Sequence, residues 1–116
     1  MKIDGKEIAI YIKMMQKVEI EKLETKPRLA IIQVGNDPAS NHYISSKEKV
    51  CAYCGIDVDT YHFSKDASEY KLISKIEDLC DNENVHGIFV QLPLPEHINA
   101  QNVINEIAYE KYVDEL

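Results

Sequence analysis

Arginine is almost missing from this chain: of 13 basic residues only Arg28 is an arginine, against 20 acidic residues and a net charge of −7. A nucleic-acid partner usually requires a basic face to neutralise phosphates, so none is expected, although a single basic pocket is not excluded. No apolar run approaches the roughly 20 residues of a membrane span. The opening Met1-Lys2-Ile3-Asp4-Gly5-Lys6-Glu7 is charged from the start and lacks the apolar stretch of a signal peptide. Cysteine is scarce and odd in number, three in all, which suits a reducing compartment better than a disulfide framework. A cytoplasmic protein is the expectation. Glycine is scarce too. Gly5, Gly35, Gly55 and Gly87 are well separated, and no G-x-G-x-x-G turn exists. There is no internal repeat, low-complexity segment or linker.

What remains is the composition of one globular domain: 116 residues, 45% hydrophobic and 28% charged. Helix and strand patterns alternate along it. Ile8, Tyr11, Ile12, Met15, Val18 and Leu23 recur at steps of three and four, which predicts an amphipathic helix over 4–24 with Asp4 as its N-cap. Leu29 to Val34 is a nearly continuous apolar run and reads as a strand buried on both faces. Gly35 ends it. Asp37-Pro38 then reads as an N-cap followed by proline in the first turn, opening a helix that runs to about Cys54 and stops at Gly55.

Residues 56–63 alternate in part and predict a second strand. Leu72, Ile73, Ile76, Leu79 and Cys80 place a helix over 67–80, capped by Asp66 or Ser68, with Glu69 three residues after Asp66 as in a capping box. Val85 to Leu92 predicts a third strand, stopped by Pro93 and Pro95. Val103, Ile104 and Ile107 lead a last helix over 99–108. The expected fold class is α/β, a three-layer αβα domain with a short parallel sheet and right-handed crossovers.

Ligands of such sheets sit beyond the carboxyl ends of the strands, and two motifs fall there. The first is Gly35-Asn36-Asp37-Pro38-Ala39-Ser40-Asn41-His42-Tyr43-Ile44-Ser45-Ser46-Lys47. Ser40, Tyr43 and Lys47 are three and four apart, on one helix face. An aromatic ring beside an amine can stack on a flat ligand while the amine moves protons. Spacing alone favours the plainer reading, a solvated lysine beside a half-buried tyrosine, since such pairs are common on helices. The second motif is Val90-Gln91-Leu92-Pro93-Leu94-Pro95, a polar residue ending an apolar strand before a stiff loop. It reads either as a ligand contact through Gln91 or as a strand-ending turn.

Taken together, these motifs resemble the N-terminal catalytic domain of the bifunctional methylenetetrahydrofolate dehydrogenase/cyclohydrolase family. The likeness covers nearly the whole of residues 1–116, from Lys2-Ile3-Asp4-Gly5-Lys6 through Val34–Ser40 to Val85–Pro95. It implies oxidation of 5,10-methylenetetrahydrofolate to the methenyl form, and hydrolysis of that form to 10-formyltetrahydrofolate. It implies Lys47 as general acid/base, Gln91 as the residue that orients it, and Tyr43 as a stacking platform for the folate ring. It also implies that Pro93 and Ser40 contact substrate and that Asp114 binds the amino and amide edge of the pterin. The implied cofactor is NADP or NAD, and the family's NAD(P)-binding Rossmann domain is absent from this chain. The family usually reads Lys-Asp-Val-Asp-Gly near the end of this domain, where the chain has Lys111-Tyr112-Val113-Asp114-Glu115. The alternative class is a shortened, non-catalytic folate-binding or partner-binding module.

Weaker signals have plainer readings. Cys51-Ala52-Tyr53-Cys54 has C-x-x-C spacing but falls near a helix C-terminus, the wrong end for an activated thiol. Buried small side chains are expected there, and no metal site. His86 reads as a packing histidine. Glu77, Asp78, Asp81 and Glu83 read as a solvated face. Tyr109 and Tyr112 pack either on the domain or on a second chain, which leaves a homodimer open.

Overall fold

The computed structural model describes residues 27–113. The helix expected over 4–24, its cap Asp4, and Asp114 and Glu115 lie outside these residues. The elements run β1 (Arg28–Val34), α1 (Pro38–Cys54), β2 (Asp57–Phe63), α2 (Glu69–Asp81), β3 (Gly87–Val90), α3 (Ala100–Asn105) and one 3-10 turn at Tyr109–Lys111.

The three strands form a parallel sheet in the order β2-β1-β3. Because β1 is central, both its faces are covered, which accounts for its unbroken apolar sequence. Leu29 and Ile31 pack with Ile44 and Cys51 of α1 and with Phe89 of β3. The alternate residues Ala30, Ile32 and Val34 pack on the opposite side with Leu72, Ile76 and Leu79 of α2 and Val103 of α3. Side chains two apart on a strand share a face, so this one strand divides the core between two helical layers. The expected three-layer αβα arrangement is borne out. β2 is an edge strand, partly exposed for most of its length, and it carries Asp57, Asp59, Thr60 and His62.

Local signals set the element ends. The Asp37 carboxylate accepts from Ser40 N–H at 3.0 Å, and Pro38 occupies the first turn of α1, where a missing N–H costs nothing. Gly55 ends α1 with φ +80°, and Gly35 ends β1 with φ +87°. α2 is capped by Ser68, whose hydroxyl accepts from Lys71 N–H at 3.2 Å. Of the two caps considered, Ser68 is therefore the one used, and Asp66 sits in the preceding turn. Glu69 closes no box with Asp66. Its carboxylate accepts from Asn99 N–H at 2.7 Å and ties α2 to the start of α3.

β3 is shorter than the predicted 85–92. Even so, His86 N–H donates to Arg28 O and Gln91 N–H to Ile32 O, both at 2.9 Å, so the pairing with β1 extends one residue beyond each end. α3 is shorter than 99–108 because its last bonds tighten: Glu106 N–H donates to Val103 O and Ile107 N–H to Ile104 O.

Candidate active site

Four buried polar side chains lie near the carboxyl ends of β1 and β3 or on α1, which follows β1: Gln33, Ser40, Lys47 and Gln91. Each is placed by its element. Gln33 shares its side of β1 with Leu29 and Ile31, the side that α1 covers. Its amide donates to Asn41 Oδ1, and Asn41 Nδ2 donates to Asn36 Oδ1 at 2.8 Å. The loop after β1 and the first turns of α1 are thereby tied to the strand. His62 Nε2 bonds Gly35 O on the β2 side of the same loop. A carbonyl only accepts, so His62 carries a proton on Nε2.

Ser40 is buried in the helix cap. Its hydroxyl donates to Asp37 Oδ2 at 3.1 Å, the carboxylate that also caps its own N–H. One turn further on, the Tyr43 ring is 52% exposed, and one turn beyond that Lys47 is 6% exposed. So deep a burial is rare for lysine. The Lys47 ammonium lies 5.6 Å from the Tyr43 ring centroid and 5.0 Å from that of Phe89. Both are within cation–π reach. Lys47 thus joins an exposed ring on the helix to a buried ring on β3.

Gln91 stands two residues after Phe89, and its backbone is still bonded to β1. It is 2% exposed. Its side-chain nitrogen donates to Leu92 O at 3.0 Å, whereas Oε1 is buried and has no hydrogen-bond partner among the described residues. Leaving such an oxygen unsatisfied costs about 1–3 kcal/mol. The Leu92–Pro93 peptide is cis, and Leu92 and Pro93 are both exposed at the mouth of this edge.

The geometry therefore brings together Tyr43, Lys47 and, through Phe89, the end of β3 that carries Gln91. Phe89 was not singled out in the sequence. Strand alternation back from Gln91 was the signal that could have found it. The Gln33–Asn41 bond was also missed, because a glutamine in an apolar strand gives no hint of a partner eight residues on.

Two histidines are bonded away from this edge. His86 Nδ1 accepts from Arg28 N–H at 3.0 Å, and a ring nitrogen of His97 bonds Ala67 O at 2.8 Å. Cys51 and Cys54 are free thiols. Burial, reinforced by the neighbouring Cys54, pushes the Cys51 thiol up to about 11, the reverse of an activated cysteine. Among the described residues no three His, Cys, Asp or Glu side chains converge as a metal site. No helix there is long and apolar enough to cross a membrane.

A family model described as tetrahydrofolate dehydrogenase/cyclohydrolase, catalytic domain, matches residues 3–114. The chain belongs to that family. Among relatives, the bifunctional protein FolD of Aquifex aeolicus is 47% identical over 116 residues, which cover 97% of this chain and 40% of that protein. FolD of Geobacillus thermodenitrificans is 46% identical over 115 residues, with the same coverage. The solved structure of the bifunctional FolD methylenetetrahydrofolate dehydrogenase/cyclohydrolase from Campylobacter jejuni superposes with a TM-score of 0.80 at 37% identity, covering 96% of this chain and 40% of that one. The Trypanosoma brucei dehydrogenase-cyclohydrolase, solved with NADP cofactor and an inhibitor, superposes at 0.75 with 28% identity, covering 96% and 39%. The chain spans about two fifths of the length of these relatives.

The family's cofactor can be tested against the residues present. The one described strand–turn–helix with a glycine, Gly35 into α1, already holds the Asp37 carboxylate on its helix N-terminus. A pyrophosphate there would meet a like charge. That helix N-terminus therefore offers no place for a pyrophosphate.

Proposed function

We propose that this chain is the folate-binding catalytic domain, residues 1–116, of a methylenetetrahydrofolate dehydrogenase/methenyltetrahydrofolate cyclohydrolase. The observation that carries the proposal is Lys47, a buried amine set between the exposed Tyr43 ring and Phe89. A flat pterin stacks on Tyr43, and its one-carbon bridge then lies against the amine. In the hydrolytic step, water adds to the methenyl carbon and Lys47, acting in this step as the neutral amine, takes the proton that water loses. The bond from that carbon to one bridging nitrogen then breaks, the nitrogen regains a proton, and a formyl group remains on the other.

Gln91 orients Lys47 or the substrate through the oxygen that has no partner among the described residues. Pro93 lines the cleft, Ser40 borders it from the helix cap, and Asp114 accepts the N–H groups of the pterin edge in paired, charge-assisted bonds. The oxidative step transfers hydride to NADP or NAD. No step of it is assigned to the described residues. On this reading the partner is a small reduced folate in the cytoplasm, and neither nucleic acid nor membrane is involved. A homodimer is testable by size measurement.

The deciding experiment is hydrolysis of 5,10-methenyltetrahydrofolate by the purified chain, with Lys47→Met as the control against buffer catalysis. Turnover that disappears in the variant supports the proposal. Equal rates in the two proteins overturn it in favour of a non-catalytic module, and folate binding would then be measured directly.

A further inference from the structure

Lys111 closes the 3-10 turn after α3 and reaches across to the end of α2. Its ammonium donates to Cys80 O and Asn82 O, each at 2.8 Å, and to Leu79 O at 3.4 Å. An ammonium has three protons, and here they meet three carbonyls. The last carbonyls of a helix lack helical partners and carry the negative end of its dipole, so a cation suits the place. The partners lie about 30 residues back along the chain, so the contact ties the end of the described chain to α2.

Immediately after Lys111 the backbone becomes extended and joins the sheet. Tyr112 forms a parallel bridge with Ile88, and Val113 N–H donates to Ile88 O at 3.1 Å. The two side chains go to opposite faces. Tyr112 packs against the α2 and α3 side of the core. Val113, 1% exposed, belongs to the cluster on the α1 side with Leu29, Ile31 and Phe89. Phe89 is also the ring under the Lys47 ammonium. Because it runs parallel to β3, the chain at Val113 heads toward the strand end that carries Gln91.

We propose that Lys111 is a positioning residue. By holding the carbonyl end of α2 it anchors the short Tyr112–Val113 strand, the segment that leads in sequence to Asp114, the residue proposed above to bind the pterin edge. The proposal rests on the folate reading above. It also accounts for tyrosine at position 112: a large ring on the α2 side gives the segment a second anchor on the face opposite Val113.

The test compares the wild-type chain with Lys111→Met, Lys111→Gln and Lys111→Arg. Two readouts are taken: amide exchange at Val113 and Gln91, and binding and single-turnover hydrolysis of 5,10-methenyltetrahydrofolate. The expectation for Lys111→Met is exchange at Val113 faster by about tenfold or more, with Gln91 still protected by its bond to Ile32. The folate dissociation constant rises about tenfold while the rate at saturation changes little, the pattern of lost binding without lost chemistry. Lys111→Arg restores most of both. If Lys111→Met does not fold, Lys111→Gln carries the same comparison.

Unchanged exchange at Val113 overturns the anchor. Faster exchange with unchanged folate binding overturns the positioning role and leaves a merely structural contact. A wild-type chain that binds no folate overturns the functional reading itself. That failure is visible before any variant is made and so is distinct from the other two.

Discussion

The two ends of the parallel sheet handle charge in opposite ways. At the amino end Arg28 is half-exposed, 2.6 Å from Asp59 and 3.7 Å from Asp57, beside a cleft of about 540 Å³ that also touches Tyr61, Asn82 and Asn84. The adjacent carboxylates hold the Arg28 guanidinium above its ordinary value. At the carboxyl end the polar groups are buried: Lys47 against two rings, Gln91 with an oxygen lacking a described partner, and Gln33 and Ser40 beneath the loop. That cleft at the amino end is thus not where the buried polar groups are concentrated. Water and neighbouring countercharges screen the exposed end, whereas the buried end retains groups whose interactions a ligand can complete.

The strongest way to break this contrast is Lys47→Met. Loss of a positioned acid/base should lower methenyltetrahydrofolate hydrolysis by about 10²–10⁴-fold, with folate binding largely retained. Gln91→Leu should come next, with turnover down by about 100-fold, as when an oriented polar group is removed from a reacting centre. Its stability should move by no more than about 1 kcal/mol, because one bond to Leu92 O is lost while one buried unpaired oxygen is removed. Chemical denaturation of the same variant measures that second quantity.

A smaller effect concerns pH. Burial raises the Cys51 thiol to about 11, so the folded state favours the protonated form. Stability from this group is fully present below the ordinary thiol range and is lost as pH rises from about 9 toward 11, by at most ~3 kcal/mol. The decline should be missing in Cys51→Ala, measured as the difference between the two denaturation curves across that range. The smallest effect is expected at the amino end. Asp59→Asn removes a solvent-exposed pair and should leave hydrolysis within about twofold of wild type. A large loss of turnover there would mean that the two ends are coupled.

The local devices were readable from residues alone. Asp37-Pro38 and Gly55 bound α1 as expected, because a cap and a left-handed stop depend on neighbours within four residues. The choice between Asp66 and Ser68 was not readable, since both have the right chemistry and only the path of the preceding turn separates them. The lengths of β3 and α3 were overestimated because apolar residues continue past the point where backbone pairing or helical bonding changes. Tyr43 and Lys47 were legible as a pair from their spacing, and the family from the two motifs. The burial of Lys47 was not legible, because helix periodicity does not say which strand a face will meet.

Sequence by itself determined the alternation of elements, the caps and stops of α1, the central burial implied by Leu29–Val34, and family membership. Each of these follows from short-range periodicity or from a contiguous motif. Tertiary structure alone decided the order β2-β1-β3, the seat of Lys47 against Phe89, the link from Glu69 to Asn99, and the grip of Lys111 on the carbonyls that end α2. These partners stand about 30 to 40 residues apart. A parallel crossover can lay its strand on either side of β1 with the same local pattern, so only the packing of both helical layers selects one arrangement and, with it, the site.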